Sequence, residues 1–313
     1  MAVRSAAALC FCLVAGCWTE ADVPAADPIR IIGGKGNRDG QFVTPRGAAI
    51  DPERGRFYVV DKTGRIQRFD LEGRFERSWI PPGGETGRPT ALAVDADGFV
   101  WVANTHDHQV LKYSPEGELL LSWGSEGRGP GQFIYPVGIL ARGDEIIVGE
   151  YGGNDRIQVF DREGRLRRSF GSYGESEAQF KRPQGLAIGP DGHLYVADAA
   201  NHRVQVFTLD GRFVRAWGRL GQAAGELMYP YGLVFTPDGN LLVCEYGSHR
   251  VQQFTTQGAF ISAEGGPGIE PGRLTTPWNI ALAPGGRLFV IDMGNHRVQV
   301  WPLTRFDARG ADR

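Results

Sequence analysis

Cysteine is scarce in this chain and unevenly placed: Cys10, Cys12 and Cys17 fall near the start, and only Cys244 lies further on. A disulfide framework within the rest of the chain is therefore excluded. Cys244, in the apolar run Leu241-Leu242-Val243-Cys244, reads as a buried small hydrophobe and not as a nucleophile. Excess charge of one sign is lacking too. Lys+Arg number 34 against 36 Asp+Glu, a net charge of −2, and the isoelectric point lies near 6.3. That removes the broad basic footprint of phosphate-backbone binding, so no nucleic acid is expected as a partner. The apolar run from Ala6 to Val14 is too short to span a bilayer. Neither a Gly-x-Ser-x-Gly elbow nor a His-Glu-x-x-His pair is present to support a hydrolytic mechanism.

What the chain has in abundance is glycine. With 45 Gly and 19 Pro among 313 residues, and 42% apolar residues, it can build a core punctuated by many turns. Pro45, Pro89, Pro136, Pro183, Pro230 and Pro277 open six similar segments at a spacing of 44 residues and then 47. Each runs Pro-x-small-apolar, a turn, an apolar run ending in an acid or amide, a second apolar run, a glycine and a third run. In the fourth these are Pro183 to Ile188, Leu194 to Asp198, Arg203 to Phe207 and Phe213 to Trp217. The runs are rich in Val, Ile, Phe, Tyr and Trp and carry no sustained helical period, so four strands per repeat are expected. Glycines at 73, 117, 164, 211 and 258 fall where a hairpin needs a positive φ. Six repeats of four strands predict an all-β, six-bladed β-propeller over residues 29–302, followed by a tail, 303–313. The sixth repeat lacks its fourth strand. Residues 29–32, followed by Gly33 twelve positions before Pro45 just as Gly171 stands twelve before Pro183, are expected to pair with 297–301 and close the ring.

The third runs, Asn201-His202-Arg203-Val204-Gln205-Val206-Phe207 and its counterparts from Ser248 and Asn295, closely resemble NHL repeats. Asp107-His108-Gln109-Val110 and Asn154-Asp155-Arg156-Ile157 resemble weaker copies. The resemblance implies that His202, His249 and His296 lie on the third strands, with each His or Arg hydrogen-bonding the acid that ends the second strand: Asp198, Glu245 or Asp292. His106 and His108 read as solvated surface. At the N-terminus, Val14-Ala15-Gly16-Cys17 resembles the lipobox of bacterial lipoproteins. Residues 1–17 then form a signal peptide, Cys17 is the acylated residue, 18–28 is a tether, and the protein is exported to a bacterial envelope. The membrane is reached through the lipid anchor only.

Family resemblance also frames the site. Amidating lyases with such repeats carry zinc-binding His directly after the blade-opening Pro, whereas this chain has Arg46, Thr90, Val137, Gln184, Tyr231 and Trp278 there. A zinc lyase of that type is not expected. Gluconolactonase-type propellers hold a divalent cation with carboxylates and amides, a role that Asn104, Glu150 and Glu245 would fill in an alternative reading as a metal-dependent lyase or lactonase. The favoured expectation is a monomeric, cofactor-free binding module for a protein, peptide or small ligand. Arg46, Thr90, Gln184, Tyr231 and Trp278, joined by Tyr151 and Tyr246, would form its site at the channel mouth, unless the rings merely plug the channel. The Gly-rich stretches Gly124–Gly131 and Gly265–Gly268 read as blade linkers, and Arg165, Arg167 and Arg168 as a solvated outer edge.

Overall fold

The computed structural model describes residues 28–83 and 88–307. The signal peptide, Cys17 and the tether up to residue 27 lie outside the described residues. Six four-stranded antiparallel sheets make six blades. The innermost strands are Pro45–Asp51, Ala91–Val94, Tyr135–Arg142, Pro183–Ile188, Pro230–Phe235 and Asn279–Ala283. Each touches the next in cyclic order, and that of blade 6 touches that of blade 1.

Closure follows the expectation. Strand β1, Arg30–Ile32, pairs antiparallel with the third strand of blade 6, Arg30 opposite Val300 and Ile32 opposite Val298. An exposed edge is removed, and the ends of the chain are tied to each other. In place of a fourth strand of its own, blade 6 ends in a 3-10 turn, Leu303–Phe306, that buries Phe306. The start of the segment expected as a tail thus packs against the sheet.

The core is divided among the blade interfaces. Six apolar clusters are present, and the one between blades 6 and 1 joins Ile32, Phe57 and Phe69 to Phe289, Ile291 and Val298. Blades approach so closely that a Cβ on Gly185 would run into the carbonyl oxygen of Tyr231, and one on Gly138 into that of Gln184. This is why the third position of the repeat is small. Hairpin glycines Gly73, Gly117, Gly164, Gly211 and Gly258 all have φ between 82° and 91°.

The linkers are held by a repeated glutamine. Buried Gln67, Gln158, Gln205, Gln252 and Gln299 each accept from a linker N–H and donate to a linker carbonyl. Both halves of each amide are satisfied, as burial requires. The outer edge of blade 3 is paired instead of merely solvated: Arg167 meets Asp144, and Arg168 meets Glu145 and reaches the Leu209 carbonyl of blade 4. Cys244 is free and fully buried, and burial pushes its thiol well up.

Candidate functional site

The inner strands begin, and the second strands end, at the same mouth of the ring, because the two pair antiparallel: Pro230 faces Glu245 and Tyr135 faces Tyr151. Below that mouth runs a channel of about 220 Å³. Its wall is made of small and aliphatic side chains, including Ala48, Ala91, Ala93, Val137, Ala141 and Ala281, and the predicted residues Thr90, Gln184, Tyr231 and Trp278 line it as well. Thr90 is committed to the scaffold through Thr105, which in turn donates to the Pro136 carbonyl.

The remaining predicted residues meet above the channel. Tyr231 packs edge-on to Trp278 at 4.8 Å and stacks on Tyr246 at 5.0 Å. The Arg46 guanidinium lies 5.2 Å from the Trp278 ring centre. Tyr151 does not touch those rings directly. The link is Arg182, whose guanidinium lies 5.2 Å from Tyr151, 5.1 Å from Tyr231 and 5.7 Å from Trp278. Tyr135 extends the belt, 5.1 Å from Tyr151 and 5.5 Å from His106. The rings therefore form a belt around one end of the channel. His106 is exposed, as the sequence reading expects, and its ring packs edge-on to Tyr135; burial, and then the positive charges of Arg88 and Arg46, lower its pKa.

Arg88 and Arg182 escape the sequence reading because the residue before a proline is expected to be extended, and Tyr135, which stands at the same position in blade 3, is missed with them. Here Thr44, Arg88, Arg182, Tyr229 and Thr276, each preceding a blade-opening Pro, have φ between 43° and 62°. This left-handed backbone is costly for residues with a Cβ and is held in place by surrounding contacts. The signal that could have found them is a second ring of six, one position before each proline.

Those contacts correct the reading of the histidines. His202 and His296 sit in left-handed caps of 3-10 turns between the second and third strands, not on the third strand. Their Nδ1 atoms, like that of His249, accept the backbone N–H of the residue before the next blade's proline: Tyr229, Thr44 and Thr276 respectively. In blade 3 Asp155 takes this role toward Arg182. His108 differs, bonding the Ile134 carbonyl through Nδ1. Of each His-Arg pair it is the arginine that meets the acid, Arg203 with Asp198 at 2.8 Å, Arg250 with Glu245 at 2.6 Å and Arg297 with Asp292 at 2.7 Å.

The residues of the metal alternative do not fit a cation. Glu150 accepts from Ile134 N–H, Asn154, Arg156 and Gln158. Glu245 accepts from Met228 N–H, Arg250 and Gln252. Asn104 donates to Asp107. All three are wholly buried, and they belong to three different blades. Each carboxylate is neutralised by its arginine, and Asn104 Oδ1 alone is left without a hydrogen-bond partner. No group of three or more His, Cys, Asp or Glu is gathered as a metal site among the described residues.

At the mouth, by contrast, polar atoms are left open. Arg46 Nε, Arg182 Nε, Trp278 Nε1 and Gln184 Oε1 are buried without a hydrogen-bond partner. Burial, Arg182 and Arg88 together lower the Arg46 pKa, and burial pushes Tyr231 up to about 12.

Residues 180–207, 227–254 and 274–301 match the NHL repeat, and residues 37–128 match the SMP-30/Gluconolactonase/LRE-like region. The peptidyl-glycine alpha-amidating monooxygenase of Mus musculus is 30% identical over 137 residues, which is 38% of this chain and 14% of that protein. Protein brain tumor of Drosophila melanogaster is 28% identical over 81 residues, 25% of this chain and 8% of that protein. The chain thus spans only a small part of the length of these relatives. Among solved structures, a streptogramin B lyase superposes with a TM-score of 0.65 at 16% identity, covering 87% of this chain and 97% of its own. A gluconolactonase from Xanthomonas campestris gives 0.63 at 16% identity, over 90% and 99%. At such identities the likeness is one of fold.

Proposed function

We propose that this six-bladed propeller is a binding module that receives a protein, peptide or small ligand at the channel mouth. The observation that supports it is the belt of Tyr151, Tyr231, Tyr246 and Trp278 around Arg46 and Arg182, with buried polar atoms left unpartnered. Aromatic walls with a few convergent polar groups are the usual make-up of a ligand site, and aromatic and Arg anchors supply most binding energy at such surfaces. In this reading the protein is exported, anchored to a bacterial envelope through acylated Cys17, monomeric, and free of cofactor and of nucleic acid. The test is a fragment screen on the full chain, followed by the backbone and indole N–H signals of the mouth. Hits should shift the Trp278 signal and be lost in the Arg46→Ala, Trp278→Ala double variant while its melting transition is kept. Binding that survives in the double variant rejects the site.

A second reading, a divalent-metal lyase or lactonase, is favoured by the match of residues 37–128 and by the lyase and gluconolactonase folds. Glu150 and Glu245 would not be its ligands, given their saturated hydrogen bonding, and Asn104, whose Oδ1 is buried without a partner, is left as a single donor in a different blade. Elemental analysis and melting of the full chain with and without chelator separate the two. A stoichiometric metal whose removal lowers the melting temperature would favour the enzyme.

A further inference from the structure

The open groups at the mouth are nearly all donors. Two guanidinium groups flank one indole ring, Arg46 at 5.2 Å and Arg182 at 5.7 Å from its centre, and each keeps a buried Nε with no partner. The Trp278 indole N–H is buried and unpartnered beside them. Burial disfavours ionisation of the Tyr231 phenol, which stays a neutral O–H donor. Gln184 Oε1 and, at the end of the second strand of blade 2, Asn104 Oδ1 are the open acceptors, and an amide presents N–H or oxygen according to its orientation.

Negative charge is correspondingly missing. Among the described residues no carboxylate forms an ion pair with Arg46, Arg88 or Arg182. The acids of the loops and second-strand ends around the mouth are already occupied. Asp155 is buried and takes the backbone N–H groups of Gly153 and Arg182. Asp107 takes the Asn104 amide. Glu150 and Glu245 are saturated by their own blades. Five other partly buried arginines, Arg68, Arg156, Arg203, Arg250 and Arg297, all meet carboxylates. Leaving two cations together without one is costly, and an incoming anion removes that cost.

We propose that the mouth binds the oxyanion head of a small organic acid, a carboxylate or a phosphate monoester, between Arg46 and Arg182. The ligand's apolar body lies against Tyr231 and Trp278 over the alanine-lined channel. This rests on the reading of the mouth as a ligand site and names the class of ligand. Guanidinium forks suit the planar or tetrahedral oxygens of such heads through charge-assisted pairs. The roughly 220 Å³ channel has room for a body of modest size, and its aliphatic wall favours an apolar one.

The test titrates the full chain with benzoate, phenyl phosphate, inorganic phosphate and the neutral isostere benzamide. Calorimetry is paired with the indole N–H signal of Trp278, assigned through Trp278→Phe. Saturable binding of benzoate or phenyl phosphate that moves this signal and weakens with added salt is expected, and the tighter of the two names the head group. Arg182→Gln and Arg46→Gln should each weaken it roughly tenfold or more. Arg182→Lys, which keeps charge but not the fork, should fall between. Equal affinity for benzamide, with both arginine variants silent, overturns the oxyanion assignment while leaving the mouth as a site. Inorganic phosphate binding as tightly as phenyl phosphate overturns the organic body. If no oxyanion moves the Trp278 signal the inference fails, and fragment hits at the mouth then decide the broader reading on their own.

Discussion

The backbone N–H of Thr44 donates to Nδ1 of His296 at 3.0 Å, across 252 residues of chain. This bond latches blade 6 onto the first residue before blade 1, and its repeats from His202 to Tyr229 and His249 to Thr276 do the same between neighbours. The histidine of the repeat is therefore an acceptor between blades, holding a residue whose left-handed backbone would otherwise relax. Asp155 occupies the same place in blade 3, which shows that a short side-chain oxygen suffices.

His296→Ala should destabilise the ring by about 1–3 kcal/mol, since a buried N–H loses its acceptor. His296→Asn should restore most of that, because Asn tolerates the left-handed cap and offers an oxygen in the same reach. Urea melts of the three proteins check this. Equal loss in both variants would mean that the ring's packing, not its acceptor, matters.

The same bond predicts a pH dependence. Burial lowers the pKa of His202 and of His296 below the ordinary 6.5. The unfolded chain then takes up protons before the native one, so stability is full above about pH 6.5 and declines as pH falls through that value toward the lower native pKa. The difference in melting temperature between wild type and His296→Asn should grow in favour of Asn across that interval. A flat difference would show that His296 titrates alike in the folded and unfolded states.

Closure by β1 carries a further expectation. Ile32 is buried between blades 6 and 1 with Phe57, Phe289 and Val298. Ile32→Ala should cost about 2–4 kcal/mol, in the range of large-to-small core changes. A melt unchanged by this substitution would mean the strand adds nothing to the ring.

Much of this was legible in the chain because a propeller repeats its local chemistry: proline before each inner strand, glycine in each hairpin, Gln in each third strand. The closing strand was legible from spacing alone, Gly33 to Pro45 matching Gly171 to Pro183. The mouth was legible only in part. Arg46, Tyr231, Tyr246 and Trp278 were found as residues beside the inner-strand prolines or the repeat acids. Arg182 was not, because its orientation depends on a positive φ before proline that no local preference favours. The histidines were misplaced for a related reason: the 3-10 turn Ala199–Asn201 ends with His202 in a left-handed cap, so its ring meets the next blade while Arg203 keeps the acid.

The buried acids lead to a contrast between arginines. Asp198 is fully buried, and burial raises its pKa despite bonds from Asn201, Lys181 N–H and Arg203. Arg203→Ala should cost about 3–5 kcal/mol by stranding that carboxylate. Arg165, largely exposed beside Asp161, should leave the melt unchanged when replaced by Ala. Comparable losses from the two would contradict the assignment of Asp198 as the blade's internal anchor.

Gly185 ties the scaffold to the mouth. Its φ is not in the left-handed region, so Gly185→Ala carries no backbone penalty, only the collision of the new methyl with the Tyr231 backbone. That backbone cannot swing aside as a side-chain end would, and blades 4 and 5 must part or Tyr231 must move. A loss of roughly 1–3 kcal/mol is expected from the overpacking, together with a shift of the Trp278 indole signal, since Tyr231 packs 4.8 Å from that ring. Gly192→Ala supplies the opposite case, with φ of +76° and open space around the new methyl: strain of about 1–2 kcal/mol from the backbone alone, and no change at the mouth. If Gly185→Ala left the Trp278 signal in place, the blades would be free to absorb the methyl elsewhere, and the close approach at Gly185 would not be what positions Tyr231.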